Sequence, residues 1–236
     1  MELERILRSQ GFGSKKTCRA LIRSEAVTVE GVPCDDPFAE FTSAGLNFTV
    51  DGEAWQYREK AYLLLNKPAG YECSNQPIHH PSVFALLPPP MQGRGMQCVG
   101  RLDEDTTGLL LFSDDGQFIH RMASPKWKMP KVYRVTLKHP ADDAQVAALT
   151  SGVQLHDEPA PLAAVACERI DERVLLLTLT EGKYHQVKRM IGAAGNRVEA
   201  LQRVSLGTMT LPADLPEGAW RWLDAERDLA GMFVAR

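Results

Sequence analysis

Residues 100–113 read GRLDEDTTGLLLFS, a short acidic loop that runs directly into an apolar segment. The apolar segment predicts a buried β-strand from Gly108 to Ser113, and the glycine at its start permits a tight turn. Because a strand is a rigid support, it can hold a preceding carboxylate in a fixed position. Asp103 and Asp105 could serve as general acid and general base, as in glycoside hydrolysis, or could cap an ordinary acidic turn. Residue types alone leave both alternatives open.

The segments on either side predict an α+β fold with mostly antiparallel strands. Regular alternation of strands and helices is absent, so a doubly wound parallel sheet is not expected. The proline-rich residues 87–95 (LPPPMQGRG) predict a loop, because proline does not fit inside a helix or a central strand. The hydrophobic pattern predicts further strands at 61–66, 132–138, 165–170, 174–180 and 198–204, and helices at 141–151 and 185–194.

The beginning of the chain predicts a smaller αα-β unit. Two helix patterns come first, the second of them capped by Ser14, and two short strands follow. The polar residues 53–60 predict a linker to the remainder of the chain. We therefore expect a first domain at residues 1–57 and a second domain at residues 61–236.

Composition limits the class of protein. The chain has 236 residues and a net charge of -3, and 44% of its residues are hydrophobic, which excludes general disorder and fits one or two globular domains. The apolar runs are too short to span a bilayer and the charged start lacks a signal-peptide core, so no membrane association is expected. The five cysteines include no C-x-x-C pair, and the six histidines show no metal-binding spacing. We expect reduced thiols, no bound metal and a cytoplasmic location.

Charge is distributed unevenly along the chain. Basic residues collect without intervening acids at 5–23, 116–140 and 182–198, whereas the acids collect elsewhere. Segregation of this kind can produce one basic face for a nucleic acid on an otherwise acidic body. The alternative is three solvated stretches that point in different directions.

Residues 100–116 match the pattern G-R-L-D-x-x-T-x-G-L-L-L-x-[ST]-x-D-G, which resembles the signature of the pseudouridine synthases. More narrowly, the chain is similar to the RsuA family, whose members modify single uridines in ribosomal RNA. Residues 1–50 resemble the small RNA-binding domain named after ribosomal protein S-four. The resemblance implies a mainly antiparallel mixed sheet in the catalytic domain. Further motifs follow in order at 62–74 (YLLLNKPAGYECS), 131–133 (KVY), 181–190 (EGKYHQVKRM) and 201–207 (LQRVSLG).

The resemblance implies roles for three side chains in a reaction that detaches uracil from ribose C1′, rotates it and rejoins it through carbon 5. Asp103 matches the family's nucleophile, which must stay ionised in a closed pocket. Lys188 matches the cation that keeps it ionised, and the alternative is a lysine on a solvated helix. Tyr133 matches the ring on which the flipped uracil stacks, and the alternative is a ring buried in the core.

Further residues are expected to bind RNA or to shape the cleft. Arg101 is close to the nucleophile and suits a phosphate or the space that the flipped base vacates. Arg203 is a second phosphate candidate, and Lys67 is expected to shape the cleft without reacting. In the first domain, two basic helices are expected to bind structured RNA through Arg5, Arg8, Lys15, Lys16, Arg19 and Arg23.

The stretch 103–137 most resembles the family branch that acts on the small ribosomal subunit. This implies 16S rRNA as the partner, the uridine conventionally numbered 516 as the target, and a small-subunit assembly intermediate as the form recognised. No cofactor is expected because the isomerisation is redox-neutral, and a monomer is expected. The alternatives are a synthase acting on 23S rRNA, a non-catalytic RNA-binding or ribosome-assembly factor and, on the two carboxylates alone, a glycosidase.

Overall fold

The computed structural model describes residues 1–232 and contains a small and a large β-sheet. The small sheet comes first in the chain, with α1 (Leu3–Ser9), α2 (Lys15–Arg23), β1 (Val27–Val29), β2 (Val32–Pro33), β3 (Asn47–Val50) and β4 (Glu53–Gln56). Its strands are antiparallel in the order β2-β1-β3-β4. The predicted cap of α2 is present, since the Ser14 hydroxyl accepts a hydrogen bond from Thr17 N at 3.2 Å. The predicted αα-β unit is confirmed.

The linker predicted at residues 53–60 is wrong in its first half. Residues Glu53–Gln56 form β4, which returns antiparallel to β3 after a turn at Asp51 and Gly52. Both turn residues have positive φ, +50° and +80°, as a two-residue hairpin turn requires. The polar composition misled the prediction because β4 is an edge strand, in which Trp55 is buried and the other three residues are exposed.

The large sheet is mixed and mostly antiparallel. Its strands are β5 (Tyr62–Lys67), β6 (Gln97–Val99), β7 (Thr107–Ser113), β8 (Lys131–Leu137), β9 (Ala166–Asp171), β10 (Val174–Leu179), β11 (Val198–Leu206), β12 (Met209–Thr210) and β13 (Trp220–Trp222). The order is β13-β5-β7-β11-β8-β10-β9, with β6 paired to β7 and β12 to β11. Within the described residues, β7 and β11 are the one parallel pair. The predicted fold class is confirmed.

The remaining helices lie between and after these strands. They are α3 (Pro89–Gly93), α4 (Gly116–Ala123), α5 (Asp143–Ser151), α6 (Gln186–Ala193) and α7 (Ala225–Asp228). The helices predicted at 141–151 and 185–194 correspond to α5 and α6. The sequence pattern did not predict α4, which Asp115 caps by accepting hydrogen bonds from Gln117 N and Phe118 N. Across residues 1–232, no helix has the length and apolar character needed to cross a membrane.

Helix α3 replaces the loop predicted at residues 87–95. It begins with Pro89 and Pro90, which a first helical turn tolerates because its N–H groups have no helical partner. We call the αα-β unit at the beginning of the chain, from α1 to β4, the small unit. The backbone of Gly93, the last residue of α3, contacts the backbone of Gly11 in the small unit. A Cβ on Gly93 would lie 2.3 Å from Gly11 O, and a Cβ on Gly11 would lie 1.9 Å from Pro90 O. Glycine is therefore required on both sides of this contact.

Arg94, directly after α3, forms hydrogen bonds both to the small unit and to the large sheet. Its side chain is 2% exposed, and it donates hydrogen bonds to Gln10 Oε1 at 2.6 Å and to Arg58 O at 2.5 Å. It also donates to Asp114 Oδ2 at 2.5 Å, just after β7. One apolar core continues from the small unit into the large sheet. The position of α1 and α2 relative to the large sheet is thus set by packing and hydrogen bonds.

The central strands β5 and β7 are apolar on both faces. Leu63, Leu64 and Leu65 of β5 and residues 109–112 of β7 are 0% exposed. One face packs towards the small unit and the other packs against α4 and the residues after β12. Because a close-packed interior resists displacement, the start of β7 is a rigid support for the acidic loop in front of it.

Candidate active site

The loop at residues 100–106, between β6 and β7, borders a cavity of about 1360 Å³. The other walls come from the segment 72–80, from β8 and β11, and from the segment 179–188 that leads into α6. The volume exceeds the roughly 300–1,000 Å³ of small-molecule sites, so the cavity can admit one unit of a larger polymer. Its lining brings together Arg101, Asp103, Lys131, Tyr133, Lys188 and Arg203.

Asp103 faces this cavity with 30% of its side chain exposed. Its Oδ2 is 3.4 Å from Lys188 Nζ, and its Oδ1 is 3.5 Å from His185 Nε2. Both neighbours come from the beginning of α6, far along the chain from the loop. The arrangement therefore places the Asp103 carboxylate beside a cation and an imidazole at the edge of the cavity.

Lys188 is shared between two carboxylates. Its Nζ donates to Asp105 Oδ1 at 2.6 Å and to Asp105 Oδ2 at 2.8 Å, and lies farther from Asp103. Burial lowers the pKa of Lys188, but the hydrogen bond to Asp105 and the charges of both carboxylates outweigh burial and leave that pKa raised. Lys188 is therefore charged at neutral pH. The predicted pairing with Asp103 is present, although Asp105 is the nearer partner.

Lys67, the last residue of β5, holds the backbone of the acidic loop. Its side chain is fully buried, and burial lowers its pKa. Three of its four hydrogen-bond acceptors belong to the loop that carries Asp103, so Lys67 fixes the path of that loop. The placement agrees with the expectation that Lys67 shapes the cleft without reacting. At 2.9 to 3.1 Å, its Nζ donates to the carbonyl oxygens of Pro68, Asp103, Glu104 and Thr106.

Tyr133 and Arg203 are directly opposed in the antiparallel pair of β8 and β11, so their side chains point to the same face of the sheet. Tyr133 is half-buried, borders the cavity and also packs against the core. Arg203 is only 2% exposed, and its Nε donates to Leu109 O at 2.8 Å. The strands β8 and β11 form one side of the cavity, which we call the cavity floor. The predicted contact of Arg203 with a backbone phosphate is not supported, because its guanidinium is buried in this floor.

Arg101 lies at the mouth of the cavity, two residues before Asp103, and its side chain is exposed. Exposure at this position leaves the guanidinium able to contact a phosphate or a vacated base position. Its RNA contact stays a prediction.

A family model described as RNA pseudouridylate synthase matches residues 61–193, which span β5, the acidic loop and α6. The chain belongs to this family. It is 38% identical over 227 residues to ribosomal small subunit pseudouridine synthase A of Escherichia coli (strain K12), covering 96% of this chain and 97% of that protein. It is 37% identical over 230 residues to the uncharacterized RNA pseudouridine synthase YtzG of Bacillus subtilis (strain 168), covering 96% of each. The crystal structure of a pseudouridylate synthase, 33% identical, matches with a TM-score of 0.69 over 97% of this chain and 98% of that one.

The resemblance carried by the sequence motifs is thereby confirmed, and the protein is an RNA pseudouridine synthase. The glycosidase alternative is wrong. The family overturns this alternative. The structure agrees, because Asp103 borders the large cavity, whereas Asp105 borders a separate, smaller pocket beside α6 and β11.

The pseudouridine synthase site contains two residues to which the sequence assigned no role. His185, beside Asp103, has a left-handed backbone with φ of +46°, which is uncommon for a residue other than glycine. The Tyr184 ring stacks on the His185 ring with centroids 3.9 Å apart and is 77% exposed. Both residues lie in the motif at 181–190, which was the available signal. The resemblance placed Lys188 of this segment beside Asp103, but it gave no position for His185 or Tyr184.

The basic residues on α1 and α2 are not equally available to bind RNA. Glu4, which is 3% exposed, accepts a hydrogen bond from Arg19 and lies 3.5 Å from Lys15 Nζ. The hydrogen bond from Arg19 lowers the pKa of Glu4, and the Arg19 guanidinium also lies 4.8 Å from the Phe38 ring centre. An RNA contact by Arg19 is therefore not supported, because its charge is already paired. The exposed members of the set are Arg5, Arg8, Lys15, Lys16 and Arg23.

Basic side chains in the stretch 182–198 of this pseudouridine synthase are largely paired as well. Lys183 Nζ lies 2.6 Å from Glu158 Oε2, and Arg189 forms an ion pair with Asp157. Acidic residues from elsewhere in the chain thus neutralise part of the positive charge that this stretch has in the sequence. No group of three or more His, Cys, Asp or Glu residues between positions 1 and 232 is placed to hold a metal ion.

Proposed function

We propose that this pseudouridine synthase converts one uridine of 16S rRNA, conventionally numbered 516, into pseudouridine, with Asp103 as the nucleophile. The observation that carries the proposal is the position of Asp103 between Lys188 and His185 in a cavity that can admit a nucleotide. The choice of rRNA is supported by full-length relatives named ribosomal small subunit pseudouridine synthase A.

In the proposed reaction, an oxygen of Asp103 attacks ribose C1′ while the bond from C1′ to uracil N1 breaks. The uracil anion rotates within the cavity, and its carbon 5 bonds to C1′ while the bond from C1′ to the Asp103 oxygen breaks, which regenerates the carboxylate. Carbon 5 then loses its proton and N1 gains one, so the product is an isomer of the starting uridine. The role of Lys188 is to keep the carboxylate ionised, since a cation offsets the cost of a partly desolvated negative charge. The raised pKa of Lys188 keeps that cation present at neutral pH.

The target uridine must leave its stack before it can reach Asp103. Unstacking costs on the order of a few kcal/mol, and stacking on an aromatic ring returns roughly 1–3 kcal/mol per base. Tyr133 borders the cavity and supplies that ring. Arg101, exposed at the mouth, is placed to occupy the vacated position or to contact a flanking phosphate.

We expect Asp105→Asn to slow the enzyme only mildly. The substitution removes a charge beside Lys188, which keeps its contact with Asp103. Asp105 is 54% exposed; an exposed ion pair contributes about 1 kcal/mol or less, which corresponds to less than about tenfold in rate. Single-turnover kinetics with the purified variant measures the change. A loss as large as that of Asp103→Asn would show that both carboxylates take part in the chemistry.

We expect a double substitution on α2, Lys16→Gln with Arg23→Gln, to weaken RNA binding and flatten its salt dependence. These residues are seven positions apart, so they share one helical face, and both are exposed. Each lost phosphate contact lowers the slope of log K against log salt by about 0.7–0.9. The matched control is Arg169→Gln with Arg173→Gln at the β9–β10 hairpin. Equal slopes for the two double variants, measured between low and moderate salt, would rule out α2 as an RNA-binding face.

The substrate is tested in cells that lack the protein, by carbodiimide labelling of rRNA followed by primer extension. We expect the pseudouridine at position 516 of 16S rRNA to disappear and to return with the wild-type gene but not with Asp103→Asn. A missing modification in 23S rRNA with the 16S site intact would assign the enzyme to the large subunit. An unchanged pattern in both rRNAs would refute the proposed rRNA target.

The proposal includes a monomer acting in the cytoplasm on a small-subunit assembly intermediate. All the residues assigned to the reaction come from one chain, so the site needs no second copy. An assembly intermediate leaves its RNA more accessible than a finished subunit, which suits an enzyme that must extrude a nucleotide.

A further inference from the structure

A buried cation on the cavity floor has almost no partner in the protein. The Arg203 side chain is 2% exposed, and its Nε donates to Leu109 O. Its Nη2 is buried, and the described part of the chain offers it no hydrogen-bond acceptor. No described carboxylate forms an ion pair with it. Burial of a charged donor without an acceptor is costly, so such a group calls for a ligand.

The position of Arg203 indicates where that ligand lies. Arg203 borders the cavity and is opposed to Tyr133 across the strand pair. Lys131 is two residues before Tyr133 on β8, so its side chain points to the same face of the sheet and also borders the cavity. A base stacked on Tyr133 would therefore have two cationic side chains beside its edges.

The charges of the cavity are separated in a way that suits bond cleavage. Burial, and after it the charge of Arg203, lower the pKa of Lys131, because two cations share a partly desolvated region. Lys131 Nζ makes a hydrogen bond to Met129 O at 3.1 Å, and no described carboxylate pairs with it. Asp103 supplies negative charge from the loop. Glu181 also borders the cavity and its charge raises the pKa of Lys131, but burial and Arg203 outweigh it, and the two cations Arg203 and Lys131 lie together on the floor. Such a floor stabilises an anion that forms during the reaction.

We propose that Arg203, together with Lys131, donates hydrogen bonds to the carbonyl oxygens of the flipped uracil and stabilises the uracil anion. The inference rests on the proposed reaction. As the Asp103 oxygen bonds to C1′, the C1′–N1 bond breaks and its electron pair moves to uracil. The negative charge spreads over N1 and the oxygens O2 and O4, and no proton transfer is needed at this step. Arg203 and Lys131 would meet that charge with fixed donors.

The test compares two RNAs that differ only at the target nucleotide, one with uridine and one with 5-fluorouridine. Fluorine withdraws electrons and makes uracil the better leaving group, so a donor that stabilises the anion matters less. Removal of one such donor costs about 10²–10³-fold in rate. We expect Arg203→Met to show this loss of single-turnover cleavage on uridine but less than about a tenfold loss on 5-fluorouridine. Arg203→Lys, which keeps the charge, should restore part of the rate on uridine.

The control is Arg173→Met, which removes an exposed arginine in the β9–β10 turn and should leave both rates unchanged. If Arg203→Met does not fold, Lys131→Met, at a half-buried residue, gives the same comparison. Equal losses on the two RNAs would overturn the inference, because a merely structural role lowers both rates alike. A wild-type enzyme that modifies neither RNA would instead refute the proposed function.

Discussion

Replacement of Asp103 by asparagine is expected to abolish pseudouridine formation and to leave the fold in place. Asparagine has nearly the same shape, but its neutral amide cannot attack C1′. Loss of a covalent nucleophile lowers the rate by about 10⁴-fold or more in other enzymes. The measurement is the rate of pseudouridine formation by purified wild-type and Asp103→Asn protein on the same rRNA fragment. Substantial residual turnover by the variant would remove Asp103 from the chemistry.

Folding and RNA binding are the controls for this result. The Asp103 side chain is 30% exposed, and Lys188 keeps Asp105 as a partner when the charge of Asp103 is lost. Substitutions at partly exposed positions usually change the free energy of unfolding by about 0.5 kcal/mol or less. We therefore expect an unchanged melting temperature and an unchanged Kd for RNA. A large fall in either would mean that the loss of activity does not report on the nucleophile.

Replacement of Lys67 by methionine is expected to destabilise the protein and to inactivate it. Methionine fills a similar volume but removes the donor that Lys67 supplies to four carbonyl oxygens, of which those of Asp103 and Glu104 keep a backbone donor. A buried acceptor left without its hydrogen bond costs about 1–3 kcal/mol, so with two such acceptors we expect the free energy of unfolding to fall by about 2 kcal/mol or more. Urea unfolding followed by tryptophan fluorescence measures this fall.

The matched control for Lys67 is Lys60→Met, which makes the same chemical change at an exposed position just before the large sheet. Its free energy of unfolding should stay within about 0.5 kcal/mol of the wild-type value. If Lys67→Met were as stable and as active as Lys60→Met, the four contacts would not support the loop of Asp103. If it were stable but inactive, Lys67 would act on the position of the loop more than on the stability of the fold.

Six of the nine strands of the large sheet were predicted, because their signal is local; the short strands β6, β12 and β13 were not. Residues 109–112 of β7 and the leucines of β5 form continuous apolar runs, and such runs mark strands that are buried on both faces. The Ser14 cap was also predicted, since it depends on the conformation of a few neighbouring residues. Composition was a weaker signal: β4 and α3 were missed because a polar edge strand and a proline-led helix both look like loops.

Taken alone, the sequence determined the fold class, the family and the identity of the side chains at the site, because motifs and hydrophobic periodicity depend only on the order of residues along the chain. Only the tertiary structure decided the partners of those side chains. It paired Lys188 more closely with Asp105 than with Asp103, enclosed Lys67 in loop carbonyls and buried Arg203 beneath the cavity. These contacts join segments that are far apart in the chain. Their energies depend on burial and on distances of a few ångströms, which arise only when β5, β7, α6 and β11 are packed together.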